Sequence, residues 1–223
     1  MFTGLVEEVG TITRLERRGP DARIAIAAKM APLTLGESIA VNGVCLTVDR
    51  INPGGFEADM SSETLGKTTL GGLSPSGRVN LERAMPLGGR MGGHMVLGHV
   101  DGTGSLVEAR LVGDAQHTTF SAPLELARYL AMKGSIAIEG VSLTVNDVAD
   151  EGGGVRFTVM LVPHTLANTT LPSLKPGANV NLEVDVLARY VERQLGLAAT
   201  GTAPSGPKDE SSLLEKLRGG GYM

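Results

Sequence analysis

The stretch VNGVCLTV at 41–48 returns as IEGVSLTV at 138–145, and this repetition constrains the fold more than any other feature of the chain. The echo is wide. GESIAVNGVCLTV (36–48) aligns with GSIAIEGVSLTV (134–145) after one residue of slippage, placing Gly43, Leu46 and Thr47 on Gly140, Leu143 and Thr144. ETLGKTTL (63–70) matches HTLANTTL (164–171), VNLE recurs at 79–82 and 180–183, and TGLVEEVGTI (3–12) matches LGHVDGTGSL (97–106) more loosely. Four blocks in one order, about 100 residues apart, describe a duplicated domain; solenoid repeats are far shorter.

Each copy reads as strand. SIAVNGVCLTV and SIAIEGVSLTV are rich in Val and Ile and turn at a polar-Gly step, while ARIAIAA, GFEADM, HTTFSA and VRFTVML are further short strands. The 31 glycines suit many tight turns. The expected fold is mainly all-β, a closed barrel or sandwich per copy, since closure removes exposed edges. Short helices are expected at SSETLGK, capped by Ser61 or Ser62, and at ELARYLAM. Outside both copies, VLARYVERQLGL (186–197) carries Leu187, Tyr190, Val191, Gln194 and Leu195 on one helical face, which must cover a barrel or meet a partner chain. The expected divisions are 1–92, 93–185, a helix at 186–198 and a disordered Gly/Pro/Ser-rich tail at 199–223, with one short helix at SSLLEKLRGGGYM (211–223).

Composition excludes several roles. The net charge is 20 − 24 = −4 with no basic block, leaving no electrostatic footprint for nucleic acid or an anionic membrane. No apolar run reaches a membrane span, and the opening MFTGLVEEVG has neither a basic nor an apolar export region, so a cytoplasmic protein is expected. Cys45 is the single cysteine, which rules out an internal disulfide. His94 and His99 lack a third nearby ligand, so no metal is expected. GKTT at 66–69 imitates a phosphate loop, but Ser61 stands where the opening Gly is needed.

Chemistry is expected where matched positions differ. Cys45 matches Ser142, a potential thiolate in one copy and a hydroxyl in the other; alone, a lone cysteine is more often a small buried hydrophobe. His99 matches Leu5, which puts a general acid/base in one copy only, although a surface or core histidine is the simpler reading; His94 reads equally as structural. Phe2 reads most simply as part of a frayed terminus; if TGLVEEVGTI is a first strand, its edge holds Phe2 where it could cover a planar ligand.

Taken together, MFTGLVEEVG, NGVCLTV, GGHMVLGHVDGTG, EGVSLTV and LVPHTLANTTL closely resemble the riboflavin synthases of alpha-chain type, over residues 1 to about 197. The resemblance implies two tandem six-stranded antiparallel Greek-key β-barrels plus a C-terminal α-helix that gathers a homotrimer. It implies a cofactor-free dismutation of two 6,7-dimethyl-8-ribityllumazine molecules. A four-carbon unit moves from one to the other, giving riboflavin and 5-amino-6-(D-ribitylamino)uracil, with the working site between the first barrel of one chain and the second of its neighbour. It assigns catalysis to Cys45, Thr47, His99, Ser142 and Thr144. One substrate pocket would comprise Gly4, Leu5, Val6, Ser38, Cys45, Leu46 and Thr47 with Asp59, Met60, Ser61, Ser62, Glu63 and Thr64, joined by Phe2 and Thr3. The other would comprise Gly98, His99, Val100, Lys133, Ser142, Leu143 and Thr144 with Met160, Leu161, Val162, Pro163, His164 and Thr165. Glu139 departs from the family, where many members carry Asp. An association with lumazine synthase is left open. Two rivals are a related lumazine- or flavin-binding fluorescent protein without chemistry, and a purely structural oligomeric module.

Overall fold

The computed structural model describes residues 1–199; the expected tail from 200 onward and the short helix at 211–223 lie outside the described residues. Met1–Ala188 is one compact unit, and a second begins at Arg189. In the first copy, β1 (Glu8–Arg18), β2 (Asp21–Ala27), β3 (Ser38–Val41), β4 (Val44–Thr47), β5 (Arg50–Asn52) and β6 (Gly55–Met60) precede α1 (Ser62–Lys67) and β7 (Arg78–Arg83). In the second, β8 (Gly102–Val112), β9 (Ala115–Pro123), α2 (Leu124–Ala127), β10 (Ser135–Ile138), β11 (Val141–Glu151) and β12 (Gly154–Leu161) precede α3 (Pro163–Asn168) and β13 (Asn179–Val184). The helix α4 (Val186–Ala199) follows, reaching one residue past its expected end.

The second copy closes as a six-stranded antiparallel barrel, β10-β11-β12-β9-β8-β13, in Greek-key order. The first copy does not appear as a ring of six. It is a seven-stranded sheet, β4-β3-β7-β1-β2-β6-β5, whose two edges are halves of one broken strand. The break falls at Val48 and Asp49, which donate their N–H groups in opposite directions, to the carbonyls of Glu37 and Glu57. At the matched place in the second copy, β11 passes through with a bulge between Val145 and Asp147. Matching bulges at Ile12/Arg14 and Leu106/Glu108 let β1 and β8 bend around their barrels.

Each copy buries its own core, with Ile12, Ile24, Phe56 and Leu81 in one and Leu106, Phe120, Phe157 and Leu182 in the other. Inward residues alternate along the strands because successive side chains point to opposite faces. Ser61 caps α1, its Oγ accepting from Thr64 N at 3.2 Å, and Glu63 lies in the first turn, where the helix dipole favours an acid. The expected helix at ELARYLAM shortens to α2, because Tyr129 and Leu130 bond back three residues to Leu126 and Ala127 instead of four.

Candidate functional site

Each copy ties down its own leading segment near the junction between them, and the two ties share a pattern. Glu82 accepts from Thr3 N at 2.6 Å and Gly4 N at 2.9 Å; Glu183 accepts from Leu97 N at 2.6 Å and Gly98 N at 3.0 Å. Burial pushes both carboxyls above the usual range, opposed by these same hydrogen bonds. Further in, Asn80 Nδ2 donates to Glu139 O and Asn181 Nδ2 to Asn42 O, each at 2.9 Å. Phe2, Ala40, Val96 and Ala137 fill the centre. Phe2 is wholly buried there and pairs with Val96, so its ring packs the junction instead of lying at an edge over a ligand.

This junction exchanges the leading segments. Ser142 N donates to Gly4 O at 2.8 Å, and Cys45 N donates to Gly98 O at 2.9 Å. Val6 packs on the second core and Val100 on the first. Gly4, Leu5 and Val6 therefore accompany Ser142, while Gly98, His99 and Val100 accompany Cys45, the reverse of the grouping expected from sequence. Glycine is required at both crossings. Gly4 and Gly98 have φ of +76° and +78°, and an added Cβ would lie 2.5 Å from Ser142 Cβ and 2.6 Å from Cys45 Cβ.

On the Cys45 side, a cavity of about 570 Å³ is lined by Cys45, Leu46, Thr47, Asp49, Asp59 and Ser61, with Gly36 and Thr64 at its border. Ser38 pairs with Thr47 across β3 and β4. Cys45 is a half-buried free thiol. Asp59 is held by Arg23, whose hydrogen bond and charge lower its pKa. Ser62 lies exposed just beyond, its N–H on Asp21. Glu63 pairs on the surface with Lys67 at 2.9 Å, and Met60 is buried in the barrel core; neither lines this cavity.

On the Ser142 side, Ser142 Oγ lies 2.7 Å from His94 Nδ1. Burial lowers the His94 pKa, against a weaker opposing pull from Asp185, which favours the neutral ring; whether Nδ1 donates to Oγ or accepts from it follows the tautomer. His94 Nε2 is buried without a protein partner. Thr144 is exposed beside this pair, and Leu143 and Leu161 are buried. Met160 is partly exposed, as is Thr165, and Val162, Pro163 and His164 are exposed at the start of α3. Lys133 sits on the matching rim with φ of +68°, its N–H on Val145 O, where the first copy has Gly36 and Val48.

His94 is thus the partner of Ser142 that sequence reasoning passed over for His99. The matched place in the first copy would precede Met1, so comparison of the copies has nothing to set beside His94. Arg23 was also passed over, because its role shows only across the β2–β6 register. Among the described residues, no group of three or more His, Cys, Asp or Glu side chains is placed to hold a metal ion.

A model of the lumazine binding domain matches the chain twice, at residues 3–84 and 97–185. The riboflavin synthase of Mycobacterium bovis is 49% identical over 196 residues, covering 86% of this chain and 97% of that one. This chain belongs to the riboflavin synthase family. The riboflavin synthase of Actinobacillus pleuropneumoniae is 46% identical over 197 residues, 87% of this chain and 90% of its own. Among solved structures, LumP complexed with riboflavin superposes with a TM-score of 0.74 at 25% identity, covering 82% of this chain and 99% of LumP. LumP complexed with 6,7-dimethyl-8-(1'-D-ribityl) lumazine gives 0.72 at 24% identity, with the same coverage. The riboflavin synthase family thus accounts for both the duplication and the fold.

Proposed function

We propose that this riboflavin synthase family member converts two molecules of 6,7-dimethyl-8-ribityllumazine into riboflavin and 5-amino-6-(D-ribitylamino)uracil. Four carbons leave the donor as its two ring C–N bonds break, and the acceptor's two methyl carbons form the new C–C bonds. The atoms of two substrates equal those of the two products, so no oxidant or reductant is consumed and no cofactor is needed.

The observation that carries this reading is the unequal pair inside an otherwise repeated frame: a free thiol at Cys45, and at the matched Ser142 a hydroxyl hydrogen-bonded to the buried imidazole of His94. Two identical substrates must play different parts, and two related pockets with different polar groups provide for that. Ser142 and His94 form a route by which a proton leaves an acidic methyl group, through Oγ to Nδ1. Cys45, whose N–H bonds Gly98 O on the segment that carries His99, serves nucleophilic or proton-transfer work, and Thr47 and Thr144 orient the rings. Holding both substrates together contributes roughly 7–11 kcal/mol in favourable cases.

Residues 1–92 and 93–185 act as the two lumazine-binding barrels and 186–198 as the assembly helix of a homotrimer, with the working site shared between neighbouring chains. The chain acts in the cytoplasm; among the described residues no helix is long and apolar enough to cross a membrane. The test is to incubate purified protein with 6,7-dimethyl-8-ribityllumazine and no additive, following riboflavin absorbance. Product is expected. Binding without product would instead favour a ligand-binding relative of the same fold.

A further inference from the structure

Arg23 is a buried charged side chain that none of the chemistry above uses. From β2 its guanidinium donates to Asp59 twice, Nε to Oδ1 at 2.7 Å and Nη2 to Oδ2 at 2.8 Å. The same Nη2 donates to Asp49, and Nη1 lies 3.7 Å from Glu57 Oε2. The arginine side chain is 10% exposed, whereas Asp49 and Asp59 are 52% and 59% exposed. Both aspartates line the cavity that holds Cys45 and Thr47. The guanidinium is therefore the buried partner, while both half-exposed carboxylates line the pocket.

The second copy has no counterpart. Across β2 and β6, Arg23 faces Asp59; across β9 and β12, His117 faces Met160 at the matched place. Where Val48 is followed by Asp49, Val145 is followed by Asn146. His117 Nδ1 is buried without a hydrogen-bond partner, as befits a position with no acid to hold. The first copy thus carries two carboxylates where the second has an amide and a thioether at the matched places.

A carboxylate gripped by two parallel N–H bonds keeps its plane and still offers lone pairs to hydroxyl donors. A row of hydroxyls binds such a rim at low entropic cost, because the acceptors need no ordering on binding. We propose that Arg23 is a positioning residue that fixes Asp49 and Asp59 as a paired acceptor rim for the hydroxylated side chain of the ligand in the first-copy pocket. The second-copy pocket holds its ligand without such a rim. This rests on the function proposed above and adds the part of the ligand that each pocket reads.

The test compares riboflavin with lumiflavin, which carries a methyl group in place of the polyol, by fluorescence titration of the full-length protein. Arg23→Met is expected to weaken riboflavin about tenfold or more while leaving lumiflavin within about twofold, and Arg23→Lys to retain part of the preference, since an ammonium cannot grip bidentately. On 6,7-dimethyl-8-ribityllumazine, R23M should raise KM with kcat within about twofold, as expected for lost uniform binding. Equal weakening of both ligands, or none, overturns the proposal. Should R23M fail to fold, Asp49→Asn and Asp59→Asn carry the test from half-exposed positions: each should erode the riboflavin preference, and an unchanged preference overturns it. Wild-type protein that binds neither flavin nor lumazine would overturn the proposed function and this inference together. A working enzyme whose R23M variant keeps its preference overturns this inference alone.

Discussion

Glu139 shows how one buried group ties the junction to pH. Its Oε1 accepts from Asn181 N at 2.6 Å and Thr69 Oγ1 at 3.2 Å, and burial pushes its carboxyl up to about 7 from an ordinary 4.5. A raised acid pKa means that the folded state binds the proton more tightly than the unfolded chain. The stability from this group is full below 4.5 and is lost as the pH rises through about 7. Glu139→Gln removes that loss, so at about pH 8 it should exceed wild type by on the order of 3 kcal/mol. Thermal melts between about pH 4.5 and 8 check it. A shallower slope is expected in E139Q, with the remainder from Glu82 and Glu183, whose carboxyls shift in the same direction. Lys133 is a second case. It holds a left-handed backbone where the first copy has Gly36. Lys133→Gly should therefore stabilise the fold by about 1 kcal/mol, read by chemical denaturation, while slowing turnover if the rim needs its ammonium.

At the scale of elements, the decisive event is the crossing of the two leading segments. Gly98→Ala should destabilise by about 3 kcal/mol or more, combining left-handed strain with a methyl group forced onto Cys45. Denaturant melts would show it, and a neutral result would mean that the segment does not press on Cys45. This crossing also marks where sequence legibility ended. The duplication, the strands, the α1 cap and the Cys45/Ser142 contrast were legible because they are written in residue types at matched positions. Which copy each leading segment touches was not. An exchange of backbone segments leaves no residue signature, and Gly4 and Gly98 look alike at either crossing. His94 was hidden for a related reason, and Phe2 because a terminal aromatic reads the same at an edge or in a core. The broken strand at Val48 and Asp49 was equally silent, since the local sequence alternates as smoothly as in the unbroken β11.

For the whole molecule, α4 bears on assembly. Leu187, Tyr190, Val191 and Leu195 recur at helical spacing and are exposed at 57%, 66%, 58% and 65%. Isolated helices of this length are marginal in water, so such a face gains most of its stability by being covered. The proposed homotrimer should fall to monomers, read by light scattering, on truncation before Val186; a persisting trimer would place assembly elsewhere. Because the working site is proposed to lie between chains, the truncated protein should also lose turnover while each barrel still binds flavin. The central claim is that two copies of one domain treat two copies of one substrate differently. Its most direct test is the stoichiometry of the reaction in anaerobic, chelator-treated buffer. The account predicts two 6,7-dimethyl-8-ribityllumazine molecules consumed for each riboflavin formed, with one 5-amino-6-(D-ribitylamino)uracil released. A different ratio, or a requirement for oxygen, metal or any added cofactor, would contradict it.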